Sequence, residues 1–259
     1  MCPREFTRPE GMMPDEVFDR VSEELIQHNT KIVNFCGYGE PLIHRALPFY
    51  VSRLASRGIT TVLRTNGSLL TGERSRALLD AGISVINISA HGISKKTYES
   101  IMVGLKFDVL LHHIDELRNA NAGGSSKVII NAVALPQNRH EIPRMAAYWK
   151  SRGVGHFELN PCHSRGGDLV DVAVYPANAP TAWEGACPIF PLVTYVTWDG
   201  NVLACCQDTI GGSTRLGNLR QVGLASVLEA KESKCSEPSM FRICEQCDRR
   251  VNYDWLLKA

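Results

Sequence analysis

The first 160 residues of the chain alternate between two hydrophobic periods. Segments with apolar residues three or four positions apart predict amphipathic helices, as for Val17, Val21 and Leu25 after Asp15. Between them lie short Val- and Ile-rich runs that end in turn residues and predict strands. The five predicted strands lie in KIVNFCGYGEP, TTVLRTNG, SVINISAHG, KVIINAVAL and HFELNPC. The order α-β-α-β-α-β-α-β-α-β predicts a parallel sheet with crossover helices, either an open sheet or a barrel.

The predicted strands carry a further expectation about burial. They are rich in Val and Ile and lack polar alternation, which is typical of strands that are buried on both faces. The pattern also begins with a helix. One strand is therefore expected to be missing at the front of the sheet.

The C-terminal third follows a different pattern. The stretch 164–186 is rich in Gly, Asp, Ala and Pro and predicts a connector. After it, the runs LVTYVTW and NVLACC flank Asp199-Gly200, a strong β-hairpin signal, and a short helix is predicted within LRQVGLASVLEAKES. We therefore predict an α/β domain over 1–165, a linker over 166–186 and a small cysteine-rich hairpin and helix domain over 187–259.

Composition narrows the class of protein. The 259 residues include 28 lysines and arginines against 27 aspartates and glutamates, and no basic run stands out. This balance argues against nucleic acid or an anionic membrane surface as a partner. No apolar stretch approaches the roughly 20 residues that span a bilayer, and no signal peptide is evident, so a cytoplasmic protein is expected.

Cysteine is the unusual residue, with nine in the chain. Without a secretion signal, this enrichment predicts metal or redox chemistry instead of disulfides. Cys244 and Cys247 form a C-x-x-C pair that can place two thiolates on one metal. Cys205 and Cys206 end a predicted strand, where successive side chains point to opposite faces, so only one of them is expected to join Cys187. Four such ligands suit either zinc or an iron–sulfur cluster.

A second group of candidate residues follows the predicted strands. Ligand sites in parallel α/β folds form where the strands end, and glycines there let a ligand approach the backbone. Glu40 can accept hydrogen bonds from an ammonium group. The sequence therefore predicts a small-molecule site. Its residues follow all five strands: Gly37, Gly39 and Glu40 after the first, Thr65, Asn66 and Gly67 after the second, Ser89, His91 and Gly92 after the third, Asn138 past the fourth, and Asn160 and Cys162 after the last.

On these motifs the chain resembles radical S-adenosylmethionine (radical SAM) enzymes that carry a C-terminal SPASM or Twitch auxiliary-cluster domain. MCPREF resembles the end of the family's C-x-x-x-C-x-x-C loop, with Cys2 as the third cysteine. GYGEPL resembles the motif that binds the methionyl amino group. The segment from Cys187 through Gly200 to Cys205, with the closing C-x-x-C, resembles the auxiliary domain.

The resemblance implies a partial (β/α)6 TIM-like barrel whose first strand, with two cluster cysteines, lies upstream of an N-terminally truncated chain. It implies S-adenosylmethionine, a [4Fe–4S] cluster with an incomplete ligand set here, and one auxiliary [4Fe–4S] cluster. Cys2 would be a remnant of the first set. The auxiliary ligands would be Cys187, Cys205, Cys244 and Cys247, with Cys206 as the alternative to Cys205.

The resemblance also assigns residues one by one. The expected cofactor-binding residues are Gly37, Gly39, Glu40, Pro41, Thr65, Asn66, Ser89 and Asn131. The stretch around Met102 lacks an arginine that relatives often carry, which leaves the carboxylate contact of the cofactor unassigned. Cys36 and Cys162 are tentative hydrogen donors, since radical epimerases return a hydrogen atom from a cysteine.

The expected function is generation of a 5′-deoxyadenosyl radical for hydrogen abstraction from a peptide or a sugar-like small molecule, with oxidation or epimerisation as the outcome. A reductant such as flavodoxin or ferredoxin is the expected partner. Two alternatives are a truncated, non-catalytic iron–sulfur protein and a zinc-stabilised α/β domain.

Overall fold

The computed structural model describes residues 11–37, 39–162, 190–208, 214–235, 241–245 and 247. Its contacts divide the chain into two compact units. One comprises Asn29–Pro161, and the other combines the residues up to His28 with those from Cys162 onward.

The first unit is built around five parallel strands. They are β1 (Ile32–Phe35), β2 (Thr60–Thr65), β3 (Val85–Ser89), β4 (Lys127–Ala134) and β5 (His156–Pro161). The strands pair in sequential order, β1-β2-β3-β4-β5, and every pairing is parallel. All five predicted strands are confirmed, and so is the α/β class.

Helices connect these strands. They are α2 (Leu47–Ala55), α3 (Gly72–Asp80), α4 (Lys95–Ile101), α5 (Phe107–Ala120) and α6 (Ile142–Ser151). Gly58 and Gly82 follow α2 and α3 with φ angles of 74° and 82°, which is the left-handed conformation that stops a helix. The sequence pattern missed only α4, whose seven residues are too few for a clear hydrophobic period.

One face of the sheet carries the hydrophobic core. Leu63, Ile86 and Ile130 are fully buried there against apolar side chains of the helices, including Leu110 and Trp149. Burying such side chains stabilises the unit by roughly 1.5–3 kcal/mol each. The helices thus fix the strands, and with them the loops at the carboxyl edge.

The opposite face is polar, and here the expectation of strands buried on both faces is wrong. Parallel register places Arg64 beside Asn87, and Asn131 between Ser89 and Glu158. We call the surface formed by these five residues the polar face. These residues all lie on one side of the sheet, because successive side chains of a strand point to opposite faces and the other face meets the core.

The second unit contains a small antiparallel sheet. Its elements are β6 (Tyr195–Val196), β7 (Asn201–Leu203), β8 (Arg215–Asn218), α7 (Leu224–Cys235) and α8 (Arg242–Glu245). The predicted hairpin is confirmed: the Thr197 N–H donates to the Asn201 carbonyl at 2.9 Å, and Gly200 turns with a φ of 85°.

Helix α1 (Asp15–Gln27) packs in this second unit, although the sequence pattern placed it in the range 1–165. Its buried Val17 and Val21 join an apolar cluster with Val202 and Leu219. Glu24, also on α1, accepts a hydrogen bond from the Leu224 N–H at 2.7 Å. The N-terminal helix is therefore part of the C-terminal unit's core.

Among the helices that the structure describes, none has both the length and the apolar character that crossing a membrane requires.

Candidate functional site

Glu40 is the centre of a hydrogen-bond network at the carboxyl edge of the sheet. It lies after β1, and its Oε1 accepts from the Leu42 N–H at 3.1 Å and from the Thr65 hydroxyl at 2.7 Å. Its Oε2 accepts from the Asn66 N–H at 2.8 Å. A carboxylate has about four acceptor positions, so three donors leave room for one more. The arrangement holds a charged acceptor in place for a donor group of a ligand.

The turn after β2 is also fixed by hydrogen bonds that do not involve Glu40. The Gly67 N–H donates to the Thr65 hydroxyl at 3.0 Å, and the Gly67 carbonyl lies 2.8 Å from Nδ1 of the buried His113 on α5. Because a carbonyl only accepts, Nδ1 of His113 carries the proton. The sequence analysis missed this role of His113; the signal was its place, with Leu110 and Leu117, on the apolar side of α5.

Gly39 and Pro41 flank the carboxylate. A Cβ added at Gly39 would meet no described atom within 4 Å, so the backbone here is open to an approaching group. Pro41 begins a short 3-10 turn, Pro41–Ile43, whose N-cap is Glu40. Gly37 precedes this segment, directly after β1 and Cys36.

Ser89 and Asn131 end up side by side on neighbouring strands. They are register partners in the β3–β4 pairing, and the Ala90 N–H donates to the Asn131 carbonyl at 2.8 Å. The structure therefore brings the predicted cofactor residues together as two groups, one around Glu40 and one around Ser89 and Asn131. Both groups lie at the carboxyl edge of the same sheet.

The polar face contains residues that the sequence analysis did not assign. The Nδ2 atoms of Asn87 and Asn131 point to the same oxygen, Oε2 of Glu158, at 3.3 and 3.5 Å. Both asparagines are buried, whereas Glu158 and Arg64 are exposed. The available signal was the two-residue spacing of polar side chains in β3 to β5.

The two tentative hydrogen donors differ in accessibility. Cys36 directly follows β1 and is exposed. Cys162 directly follows β5 and is buried. A thiol that gives a hydrogen atom to a substrate must be accessible to it, and this condition favours Cys36.

His91 braces the strand ends near Ser89. Its side chain is buried, its Nδ1 accepts from the Val133 N–H at 3.0 Å, and its carbonyl accepts from the Asn138 amide at 2.8 Å. Burial lowers the pKa of His91 to about 4, because the charged form loses its hydration. The neutral imidazole therefore acts as a structural acceptor between β3 and β4.

Only some of the predicted cluster ligands lie within the described residues. Cys2 and Cys187 lie outside the described residues. Cys205 and Cys206 follow β7, which ends at Leu203, so both lie in a turn. The expectation that strand alternation separates them is therefore wrong. Instead their thiols are hydrogen-bonded neighbours.

The described thiols share one neighbourhood of the second unit. The hydrogen bond to Cys206, burial and the proximity of Cys206 and Cys247 raise the pKa of Cys205. The Gln207 N–H donates to Cys205 Sγ at 3.4 Å, a contact typical of cluster-ligating sulfur. The Cys247 N–H donates to the Cys244 carbonyl at 3.4 Å, which closes the C-x-x-C turn.

These thiols match the chemistry of an iron–sulfur ligand set. In the described part of the chain, however, no three His, Cys, Asp or Glu side chains are close enough to hold one metal ion. Cys205, Cys244 and Cys247 are therefore not gathered into one ligand group in the described residues, and the fourth predicted ligand, Cys187, lies outside them. Shared ligation of one cluster by these cysteines stays a prediction.

Two family models match the chain. The model of the radical SAM superfamily matches residues 1–148, and the model of the SPASM iron–sulfur cluster-binding domain matches residues 187–248. The first covers more than half of the chain. Together the two matches support the predicted cofactors, S-adenosylmethionine and iron–sulfur clusters.

The chain spans about half the length of the curated relatives that it matches. A probable GTP 3',8-cyclase of Metallosphaera sedula is 25% identical over 157 residues, which is 61% of this chain and 48% of the relative. The GTP 3',8-cyclase of Bradyrhizobium diazoefficiens is 32% identical over 164 residues, 60% of this chain and 46% of the relative.

Solved structures share the fold. BtrN in complex with AdoMet and 2-DOIA has a TM-score of 0.63 and 19% identity, over 93% of this chain and 82% of that one. Streptococcus suis SuiB bound to precursor peptide SuiA has a TM-score of 0.73 and 13% identity, over 97% of this chain and 68% of that one. These likenesses extend over both units of the chain.

Proposed function

The chain belongs to the radical SAM superfamily, and on that premise we propose that it is an enzyme that binds S-adenosylmethionine at the carboxyl edge of the five-stranded sheet. The observation that carries the proposal is the Glu40 carboxylate, which three donors hold in place with one acceptor position left. Bound to a [4Fe–4S] cluster, this cofactor supplies a 5′-deoxyadenosyl radical that abstracts hydrogen from a substrate.

The residues of the edge have distinct roles in the proposal. Glu40 accepts from the methionyl ammonium in a charge-assisted hydrogen bond. Thr65 and Asn66 orient that carboxylate, and Gly39 leaves space beside it. Ser89, two strands away from β1, offers a hydroxyl to the ribose or the carboxylate of the cofactor.

Asn131 completes the proposed cofactor contacts beside Ser89, and Pro41 shapes the turn that presents Glu40. We further propose Cys2 as one ligand of the cofactor's cluster. Cys187, Cys205, Cys244 and Cys247 would hold one auxiliary [4Fe–4S] cluster in the second unit.

For the reaction we propose oxidation or epimerisation of a peptide or a sugar-like small molecule, with flavodoxin or ferredoxin as the electron source. The SPASM match supports this choice, because the resemblance links auxiliary-cluster domains to enzymes that modify peptides and antibiotics. Cys36, which is exposed, is the better candidate to return a hydrogen atom in an epimerisation.

A purine nucleotide is a second candidate substrate. The observation in its favour is the identity of 25–32% to curated proteins named as GTP 3',8-cyclases. Consumption of GTP that depends on added S-adenosylmethionine, with release of 5′-deoxyadenosine, by the reduced and reconstituted protein would support this candidate. Unchanged GTP under the same conditions would remove it.

The proposal is tested on the full-length protein, including any residues upstream of Met1, after anaerobic reconstitution with iron and sulfide and then reduction. We expect release of 5′-deoxyadenosine from S-adenosylmethionine, at least about tenfold slower in Glu40→Gln because one charge-assisted contact is lost. Glu73→Gln, an exposed carboxylate on α3, is the matched control. Bound iron and sulfide without any 5′-deoxyadenosine would favour the non-catalytic alternative, and bound zinc without iron would favour the structural one.

A further inference from the structure

Glu158 is a carboxylate that accepts hydrogen bonds from the described residues through only one of its two oxygens. Asn87 and Asn131 both donate to Oε2, and Oε1 accepts no hydrogen bond from the described residues. The two donors come from different strands, β3 and β4, while Glu158 comes from β5. The Glu158 side chain on the edge strand β5 therefore reaches toward β4 and β3, and no described donor occupies its Oε1.

Among the described residues, no basic side chain forms an ion pair that would neutralise the charge of Glu158. The polar side of the sheet also carries Arg64, Lys127 and His156 by register. Within the described part of the chain, none of these three side chains lies within 4.0 Å of the Glu158 carboxylate as an ion-pair partner. Both asparagine donors are amides, which orient a carboxylate and leave its negative charge intact.

The site is built and also accessible. Asn87 and Asn131 are 3% and 8% exposed, so their positions are fixed by packing, whereas Glu158 is exposed. Neither amide oxygen of the two asparagines has a hydrogen-bond donor among the described residues. Oε1 of Glu158 is an acceptor with a negative charge, and the two amide oxygens are further acceptors on the same face of the sheet.

We propose that Glu158, supported by Asn87 and Asn131, is the specificity residue for a substrate that presents a cationic amine to the polar face. An ammonium group has three donors and no acceptor, which matches this set of acceptors. Its charge-assisted hydrogen bond to Oε1 is of the stronger kind. That the bound amine belongs to a substrate rests on the proposed function, whereas the existence of the amine site does not.

The alternative is a purely structural Glu158 that only ties β3, β4 and β5 together. Glu158→Gln separates the two, because the glutamine carbonyl still accepts from both asparagines while the charge is gone. The thermal midpoint of Glu158→Gln is therefore expected to stay at the wild-type value. Glu73→Gln removes an exposed carboxylate elsewhere and is the matched control.

The test uses n-propylammonium chloride as the probe, with 1-propanol as its neutral analogue. Protein labelled with 15N-asparagine reports on the site through the side-chain NH2 resonances of Asn87 and Asn131, which are assigned with Asn87→Asp and Asn131→Asp. We expect a saturable shift of both resonances with the ammonium in wild type and in Glu73→Gln. The apparent Kd should rise at least about tenfold in Glu158→Gln, and 1-propanol should cause no saturable shift.

The proposal is overturned if the two resonances do not respond to the ammonium, or if Glu158→Gln binds it as tightly as wild type does. Should Glu158→Gln lose its fold, Glu158→Asp in the same titration decides. It keeps the charge but draws it away from Asn87, so weaker binding than wild type is expected and equal binding contradicts the proposal. The titration needs neither a cluster nor a cofactor, so it is independent of the release assay. Amine binding here, together with no 5′-deoxyadenosine release in that assay, would retain this site and reject the proposed function.

Discussion

Gly67 shows at residue scale how the candidate cofactor site depends on backbone shape. Its φ is 76°, and a Cβ added there would lie 2.6 Å from Leu110 Cδ1. We expect Gly67→Ala to lower the free energy of unfolding by about 1–2 kcal/mol from backbone strain, plus the cost of displacing Leu110. Urea titration measures this change.

Gly58→Ala is the control for that experiment, since Gly58 has a φ of 74° and no described atom within 4 Å of an added Cβ. The contact with Leu110 predicts a larger loss for Gly67→Ala than for Gly58→Ala. Equal losses would show that the packing of α5 against the turn contributes nothing.

His91 gives a pH prediction at the same scale. Its pKa is about 4 in the folded protein, below the ordinary 6.5, so the unfolded state binds more protons between these two values. The contribution is fully present above pH 6.5 and is lost as the pH falls toward 4, by about 3 kcal/mol. Between pH 7.5 and pH 5 the unfolding free energy should fall by about 2 kcal/mol of this amount, which urea titration at the two pH values measures.

His91→Asn provides the comparison, because the asparagine carbonyl can accept from the Val133 N–H and does not titrate. Its unfolding free energy should fall less than that of wild type between the two pH values. An equal fall in both proteins would mean that His91 is already charged, or solvated, in the folded state.

At the scale of elements, helix α1 makes the most specific prediction. Val21 is 5% exposed and contacts the apolar cluster of the second unit. Val21→Ala should destabilise that unit by roughly 1–3 kcal/mol through lost burial. Hydrogen exchange should then accelerate in β7 and β8 and stay unchanged in β3 and β4. Faster exchange in β3 and β4 instead would contradict the place of α1 in the second unit.

The same scale shows what the sequence could predict. The five parallel strands and the hairpin at Asp199-Gly200 followed from hydrophobic period and turn chemistry, which are local. The polar face did not, because a run such as VIINAV reads as apolar until the register with Glu158 shows which side Asn131 occupies. The turn at Cys205 was also missed, since β7 is only three residues long.

The candidate site residues also divide into those that the sequence predicted and those that it did not. The sequence placed Glu40, Thr65 and Asn66 in one site because all three end neighbouring strands, and hydrogen bonds join them. His113 acts on this site through the Gly67 carbonyl, across 46 positions of sequence. Such long-range contacts depend on how the helix packs on the sheet. The hydrophobic pattern of the helix does not determine which polar atom of a loop its polar side chain contacts.

For the whole molecule, the family match and the compact units divide the chain differently. The radical SAM match covers residues 1–148, whereas α1, inside that range, packs in the second unit. The SPASM match at 187–248 lies within the second unit. A helix from the N-terminal region therefore supports the unit that carries the cysteines proposed as auxiliary-cluster ligands.

The central claim is that Glu40 binds the ammonium of S-adenosylmethionine. Equilibrium dialysis of this cofactor against the full-length protein, including any residues upstream of Met1 and reconstituted anaerobically, tests it most directly. We predict saturable binding in wild type and Glu73→Gln, and an affinity roughly ten- to a hundredfold lower in Glu40→Gln, the effect of one charge-assisted hydrogen bond. Equal affinity of Glu40→Gln and wild type would contradict the account, and so would an absence of binding in the wild-type protein.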